Sequence, residues 1–148
     1  MGQNVAVSLK GVQFHEEATE PVEVISFGER FERNGKKYVV YEEVIEDEPG
    51  GMKELVKNTI KIGDGEVDII KRGARGTHLC FREGQRNITC YTTPFGELTI
   101  GISTSMVDIV ETEGKTQINI RYDLEINHAF VSECMVDLCI TDKEYLVS

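Results

Sequence analysis

Tryptophan is absent from this chain, and 148 residues hold only three prolines, four alanines and seven leucines. So few of the best helix formers argue against a helical domain. No long apolar run is present, which excludes a transmembrane helix and leaves no export signal to read. The expected setting is therefore the cytoplasm. No Cys-x-x-Cys occurs, so neither a zinc ribbon nor a thioredoxin-like redox motif is expected. Basic residues are few, with 16 Lys and Arg against 26 Asp and Glu, a formal charge of −10. That balance argues against a general nucleic-acid surface or an anionic membrane as partner. Eleven aromatic residues carry no basic stripe among them, which weakens a single-strand binding role.

What the chain does have is β-branched residues and turns. Val, Ile and Thr number 15, 14 and 11, and such side chains suit a pleated, half-buried surface. The 14 glycines are spread along the chain as punctuation. Five places read as tight turns. Glu83-Gly84-Gln85-Arg86 suits a two-residue loop that pairs Phe81 with Ile88 and Leu79 with Cys90. Thr93-Pro94-Phe95-Gly96 suits a three-residue loop that pairs Thr92 with Leu98, Cys90 with Ile100 and Ile88 with Ile102. Asp64-Gly65 is a type I′ signal that pairs Ile62 with Val67 and Ile60 with Ile69. Gly114-Lys115, or Glu113-Gly114, joins the strand of Val107 and Ile109 to that of Ile118, Ile120 and Tyr122. Asn34-Gly35 joins 22–33 to 36–46.

These turns organise about ten strands in eleven segments, two of which are read as one bent strand, near 4–14, 22–33, 36–46, 53–62, 66–72, 77–83, 86–93, 97–104, 106–113, 116–126 and 131–141. The apolar parity shifts at Gly11 and again near Thr104-Ser105, so a bulge is expected at each. Short helix remains an option at 15–21 or 52–58. Residues 117–126 alternate apolar with polar, the mark of a strand with one wet face. In the 22–46 hairpin both faces are apolar. Phe31, Phe27, Ile25, Tyr38, Val40 and Val44 share the side assigned inward. Val22, Val24, Val39, Tyr41 and Ile45 share the side assigned outward. The acidic stretch 42–48 reads as a solvated hairpin end.

So many consecutive antiparallel strands cannot remain a flat sheet. The expected fold is all-β: one domain over 1–148, a closed or nearly closed antiparallel up-and-down barrel of about 8–10 strands. The runs Ile70-Lys71-Arg72-Gly73, Thr77-His78-Leu79-Cys80-Phe81, Tyr91-Thr92-Thr93-Pro94-Phe95-Gly96 and Tyr122-Asp123-Leu124 resemble the YwiB-like family of small bacterial proteins. Tyr-x-Thr-Pro-x-Gly is the sharpest element. The resemblance implies a calycin-like, lipocalin-related barrel in a bacterial cytoplasm, and it brings no biochemical role.

The best polar cluster for a ligand is Arg72, Arg75, His78 and Tyr91, with Tyr122 added from the inward set. His78 and Tyr91 are cross-strand neighbours in the expected register. The arginines flank a glycine-rich connection and present donor forks to a carboxylate or phosphate. His15, Glu16, Glu17 and Glu20 match no zinc spacing, and no serine stands in a nucleophile elbow. No catalytic residue, metal or cofactor is assigned. Cys80, Cys90, Cys134 and Cys139 read as free thiols, with Cys90 and Cys134 inward. Three functions stay open. The first is a non-catalytic barrel, structural or binding a small apolar or anionic ligand, with Phe27, Phe31, Phe81, Tyr122 and Leu124 inside. The second is an interaction module or homodimer using the outer face of the 22–46 hairpin. The third is an enzyme around Arg72, His78 and Tyr91.

Overall fold

The computed structural model describes residues 3–11, 23–46, 53–72, 77–93 and 96–145. Ten strands make one antiparallel sheet: β1 (Gln3–Lys10), β2 (Glu23–Arg33), β3 (Lys36–Glu46), β4 (Lys53–Ile62), β5 (Glu66–Arg72), β6 (Thr77–Arg82), β7 (Arg86–Thr93), β8 (Gly96–Thr112), β9 (Lys115–Ile126) and β10 (Ala129–Asp142). A 3-10 turn, Lys143–Tyr145, follows. The strand order is β6-β5-β4-β3-β2-β1-β10-β9-β8-β7, so the first and last strands lie side by side. The sheet curls into a nearly closed barrel. Its unlaced seam lies between β6 and β7, in the middle of the chain, where no ladder forms among the described residues. The hairpin tip there hooks onto β8 instead: the Gly84 amide donates to the Thr104 carbonyl at 2.9 Å, and the Thr104 amide donates to the Gln85 carbonyl at 3.0 Å.

Several registers follow directly from their turns. Ile62 pairs with Val67 and Ile60 with Ile69. Only Gly65 has a positive φ there, +70°, so the loop is not the expected type I′, which needs two such residues. Ile109 pairs with Ile118 and Val107 with Ile120 across Glu113-Gly114. The parity shift near Ser105 is a bulge between Thr104 and Met106 inside one long strand, β8. Ile118, Ile120, Tyr122 and Leu124 are buried in β9, as its alternation demands. The 52–58 helix option is not realised, since 53–58 belong to β4. The 15–21 option and the strand continuation to residue 14 lie outside the described residues. Asn127-His128 forms a tight turn with φ of +50° and +68° that brings Ala129 opposite Ile126.

Two faces are corrected. The 22–46 hairpin is turned over: Val39 and Tyr41 are buried, whereas Ile25 and Phe27 are 61% and 65% exposed. The reason is in the neighbour. Ile60 and Ile62 are held inward by the β4–β5 hairpin, and Val39 pairs directly with Ile60. Phe31 stacks on Tyr38 at 5.4 Å on the outer side, so neither Phe27 nor Phe31 lines the interior. Val22 lies outside the described residues, as do the side chains of Val24, Val44 and Ile45.

The second correction is β7. It pairs Thr89 with Ile100 and Tyr91 with Leu98, one residue from the expected register, and Thr93 opposes Gly96 across 94–95. A one-residue slip exchanges the faces, so Ile88 and Cys90 are exposed. β8 could not slip, because Ile100 and Ile102 are also paired with Ile126 and Leu124 of β9. The terminal strand β7 has no such second ladder among the described residues. The barrel interior is one cluster that includes Val7, Ile60, Ile69, Leu79, Phe81, Ile102, Ile120 and Leu138.

Candidate functional site

The residues picked out from sequence divide between the two sides of the barrel wall. Arg72 ends β5, exposed, opposite Lys57. His78 lies on the outer side of β6, opposite Ile70, and its Nε2 is 3.0 Å from Asp68 Oδ1. Tyr122 is inside, its ring centroid 5.1 Å from that of Phe81. Arg75 lies outside the described residues, and so does the side chain of Tyr91. With no β6–β7 ladder, the expected His78–Tyr91 cross-strand pair is not formed. Arg72 and His78 share the outer face of adjacent strands, and Tyr122 does not join them.

Asp68 is what sequence reasoning missed on that outer face. It pairs with Cys80, and its carboxylate is nearly buried between His78 and the Cys80 thiol. Burial first, and then the hydrogen bond to Asp68, push the Cys80 thiol up to about 11. Cys80 is thus a protonated donor at neutral pH and lacks the thiolate that nucleophilic chemistry requires. A cavity of about 290 Å³ opens here at the seam, bordered by Asp68, His78, Cys80, Arg82, Asn87 and Thr89 among others. Asn87 donates to the Cys80 carbonyl at 3.4 Å, and Arg82 pairs with Glu66 at 2.9 Å. The polar groups on this side largely satisfy one another. Among the described residues, no three His, Cys, Asp or Glu side chains are placed to hold a metal ion. The acidic group at 15–20 lies outside those residues.

The interior holds the second polar group, also missed. Tyr41 pairs with Asn58, Asn58 with Lys71 and Lys71 with Thr77, making one rung across β3, β4, β5 and β6. Strand alternation puts all four on the inner face. Val39, Ile60, Ile69 and Leu79, two residues away on the same strands, are inside and essentially inaccessible. Tyr41, Asn58 and Thr77 are buried and Lys71 is half-buried. Tyr41, Asn58 and Lys71 are each engaged in an interaction within the chain. The signal for this rung was present: extending the Ile62–Val67 and Ile60–Ile69 register by one more step pairs Asn58 with Lys71. Lys71 stands one residue from the end of β5 and Thr77 is the first residue of β6, so on these two strands the rung lies at one mouth of the barrel, while β3 and β4 run on past it to Glu46 and Lys53.

Two more interior hydroxyls stand apart from it. Thr104 and Tyr122 face each other on β8 and β9, and neither side-chain oxygen has a hydrogen-bond partner among the described residues. Burial, with the Cys134 thiol beside it, raises the Tyr122 phenol above its usual range. The thiol makes no hydrogen bond of ordinary geometry to that oxygen.

Comparison with known proteins agrees with this architecture. Residues 7–138 match the family described as Domain of unknown function (DUF1934). The chain is 29% identical over 122 residues to the uncharacterized beta-barrel protein YwiB of Bacillus subtilis (strain 168), an alignment spanning 82% of each chain. The crystal structure of the ywiB protein from Bacillus subtilis matches with a TM-score of 0.74 at 25% identity, covering 95% of this chain and 92% of that one. No helix among the described residues is long and apolar enough to cross a membrane.

Proposed function

The chain belongs to the DUF1934 family, and for it we propose a non-catalytic barrel of the cytoplasm that binds a small molecule at the polar mouth of its interior. The observation that carries this reading is the rung of Tyr41, Asn58, Lys71 and Thr77 at the edge of a largely apolar core. Buried polar groups cost stability unless fully paired, and apolar residues at the same positions would pack without that cost. Small-molecule sites combine apolar walls with a few convergent polar groups, and the mouths of β-barrels are among their favoured places. The raised Cys80 thiol removes one candidate nucleophile from the outer face. Native mass spectrometry of freshly purified protein tests it. The expected spectrum shows the chain with a retained small molecule that leaves on denaturation. A bare chain, together with no saturable binding of an apolar probe, would reject the reading.

A second reading rests on a separate observation. Ile25, Phe27 and Leu55 are each more than 60% exposed on the outer face of β2–β4, beside the Phe31–Tyr38 stack. The same face carries Glu29 and Glu42 on β2 and β3, and Lys57 and Lys61 on β4. A twofold axis would set the acidic side of one copy against the basic side of the other. The partner proposed for this face is therefore a second copy of the chain.

A further inference from the structure

We propose that the outer face of β2–β5 joins two copies of this chain about a twofold axis that stands between Glu42 and Lys57. This rests on the second reading of function and adds the place of the axis, and with it the residues that meet. Register sets the outer face out in rows. Glu42, Lys57 and Arg72 make one row across β3, β4 and β5, all three exposed. Val40, Thr59 and Ile70 make the row on one side of it. Leu55 lies in the row on the other side. Phe27 is the β2 residue next to the Gly28–Tyr41 pair, so it flanks the charged row at its β2 end. Among the described residues, Glu42, Lys57 and Arg72 make no ion pair within the chain.

In a single copy this row is frustrated. Lys57 and Arg72 are like charges set directly opposite each other, which is unfavourable in a sheet. Other charges on the same wall are matched, with Glu66 between Lys36 and Arg82 and Asp68 against His78. A half-turn about the axis exchanges β3 with β4 and reverses the direction along each. Glu42 of each copy then comes over Lys57 of the other and adds a carboxylate beside the Lys57–Arg72 pair. Val40 comes over Leu55, apolar on apolar. Arg72 comes over the flank where Phe27 stands, and a guanidinium on an aromatic face is attractive. The same half-turn lays β3 of one copy along β4 of the other, the aligned arrangement common where sheets pack face to face. An axis one row away, between Val40 and Thr59, fits less well. It would set Glu29 over Ile70 and face Lys57 toward the Tyr38 ring, over which Lys61 already sits at 5.9 Å.

Charge exchange across the axis tests the placement. Glu42→Lys and Lys57→Glu should each weaken self-association about tenfold or more in sedimentation velocity, because each sets like charges face to face. Mixed in equal amounts, with one of them isotopically labelled, the two variants should form a heterodimer in native mass spectrometry at about wild-type strength, since both contacts are then oppositely charged again. Concentration-dependent amide shifts in wild-type protein, which need no variant to fold, should gather on Val40, Glu42, Leu55 and Lys57. Variants that dimerise as wild type does, or that ignore each other when mixed, overturn the axis and leave a wild-type dimer on this face standing. Shifts that gather on Phe130 and Met135 instead overturn both the axis and the face. A wild-type monomer at high concentration removes the axis together with the second reading it rests on.

Discussion

At the scale of single residues, the barrel wall separates side chains with very different consequences. Phe81 is fully buried and meets the Tyr122 ring, so Phe81→Ala leaves a large void. It is expected to cost about 3–5 kcal/mol in denaturant unfolding. His78→Ala removes a half-exposed ring from Asp68, which water can replace, and is expected to cost under about 1 kcal/mol. The opposite order would mean that the β5–β6 faces are misassigned. The thiols make a second test. Cys90 is exposed on β7 and should react first with an alkylating reagent at pH 8. Cys80, pushed up to about 11, should react slowly, and its rate should keep rising beyond the pH where an ordinary thiol levels off. Its contribution to stability has a definite sign. Between the unfolded value of 9.0 and about 11, the unfolded chain has released the proton and the folded chain keeps it. Stability is therefore full below pH 9 and declines as pH rises through that window.

At the scale of elements, β2 shows what a neighbour demands. Gly28 opposes Tyr41, and a Cβ at position 28 would stand 2.2 Å from the Val40 carbonyl oxygen and 2.8 Å from Tyr41 Cβ. Gly28→Ala must push β2 away from β3, and the expected loss is about 1–3 kcal/mol or more. Gly35→Ala, with φ +76° and open space around it, carries only the conformational cost of about 1 kcal/mol. Thermal melts of the two variants should rank them in that order. The same hairpin face decides which substitution disrupts the core: Val39 is fully buried, so Val39→Glu should unfold the protein. Phe27→Glu is the surface variant.

At the scale of the whole molecule, sedimentation velocity tests the second reading of function. If the outer face of β2–β4 joins two copies, wild type sediments as a dimer at high concentration and Phe27→Glu sediments as a folded monomer. A wild-type monomer throughout would end that reading and leave the interior site untouched. The net charge sets a further expectation: binding to generic DNA or RNA should be weak or absent at physiological salt. A tight, steeply salt-dependent affinity would require a concentrated basic patch. The ring of ladders also implies joint unfolding. β1 is laced to both β2 and β10, so the two ends of the chain should melt together in one transition.

The sequence by itself determined the all-β class, a count of about ten strands, and the registers of the hairpins at Asp64-Gly65 and Glu113-Gly114. Ile60, Ile62, Val67 and Ile69 fix the first of these, and the bulge at Ser105 belongs with them. These are local matters, set by backbone sterics and side-chain parity over a dozen residues. The resemblance in the Tyr91–Gly96 run also led to the right family. Tertiary structure alone decided which side of the 22–46 hairpin faces inward, because both sides are apolar and only the pairing of Val39 with Ile60 chooses between them. It decided that β7, laced to β8 alone among the described residues, turns Ile88 and Cys90 to water. It also decided the sites. Asp68 meets His78 and Cys80 across a ladder, and Tyr41, Asn58, Lys71 and Thr77 line up only when four strands are laid side by side. Parity along one strand says which face a residue takes. What it meets there depends on the register of the neighbouring strands, and only the laid-out sheet brings four of them into one rung.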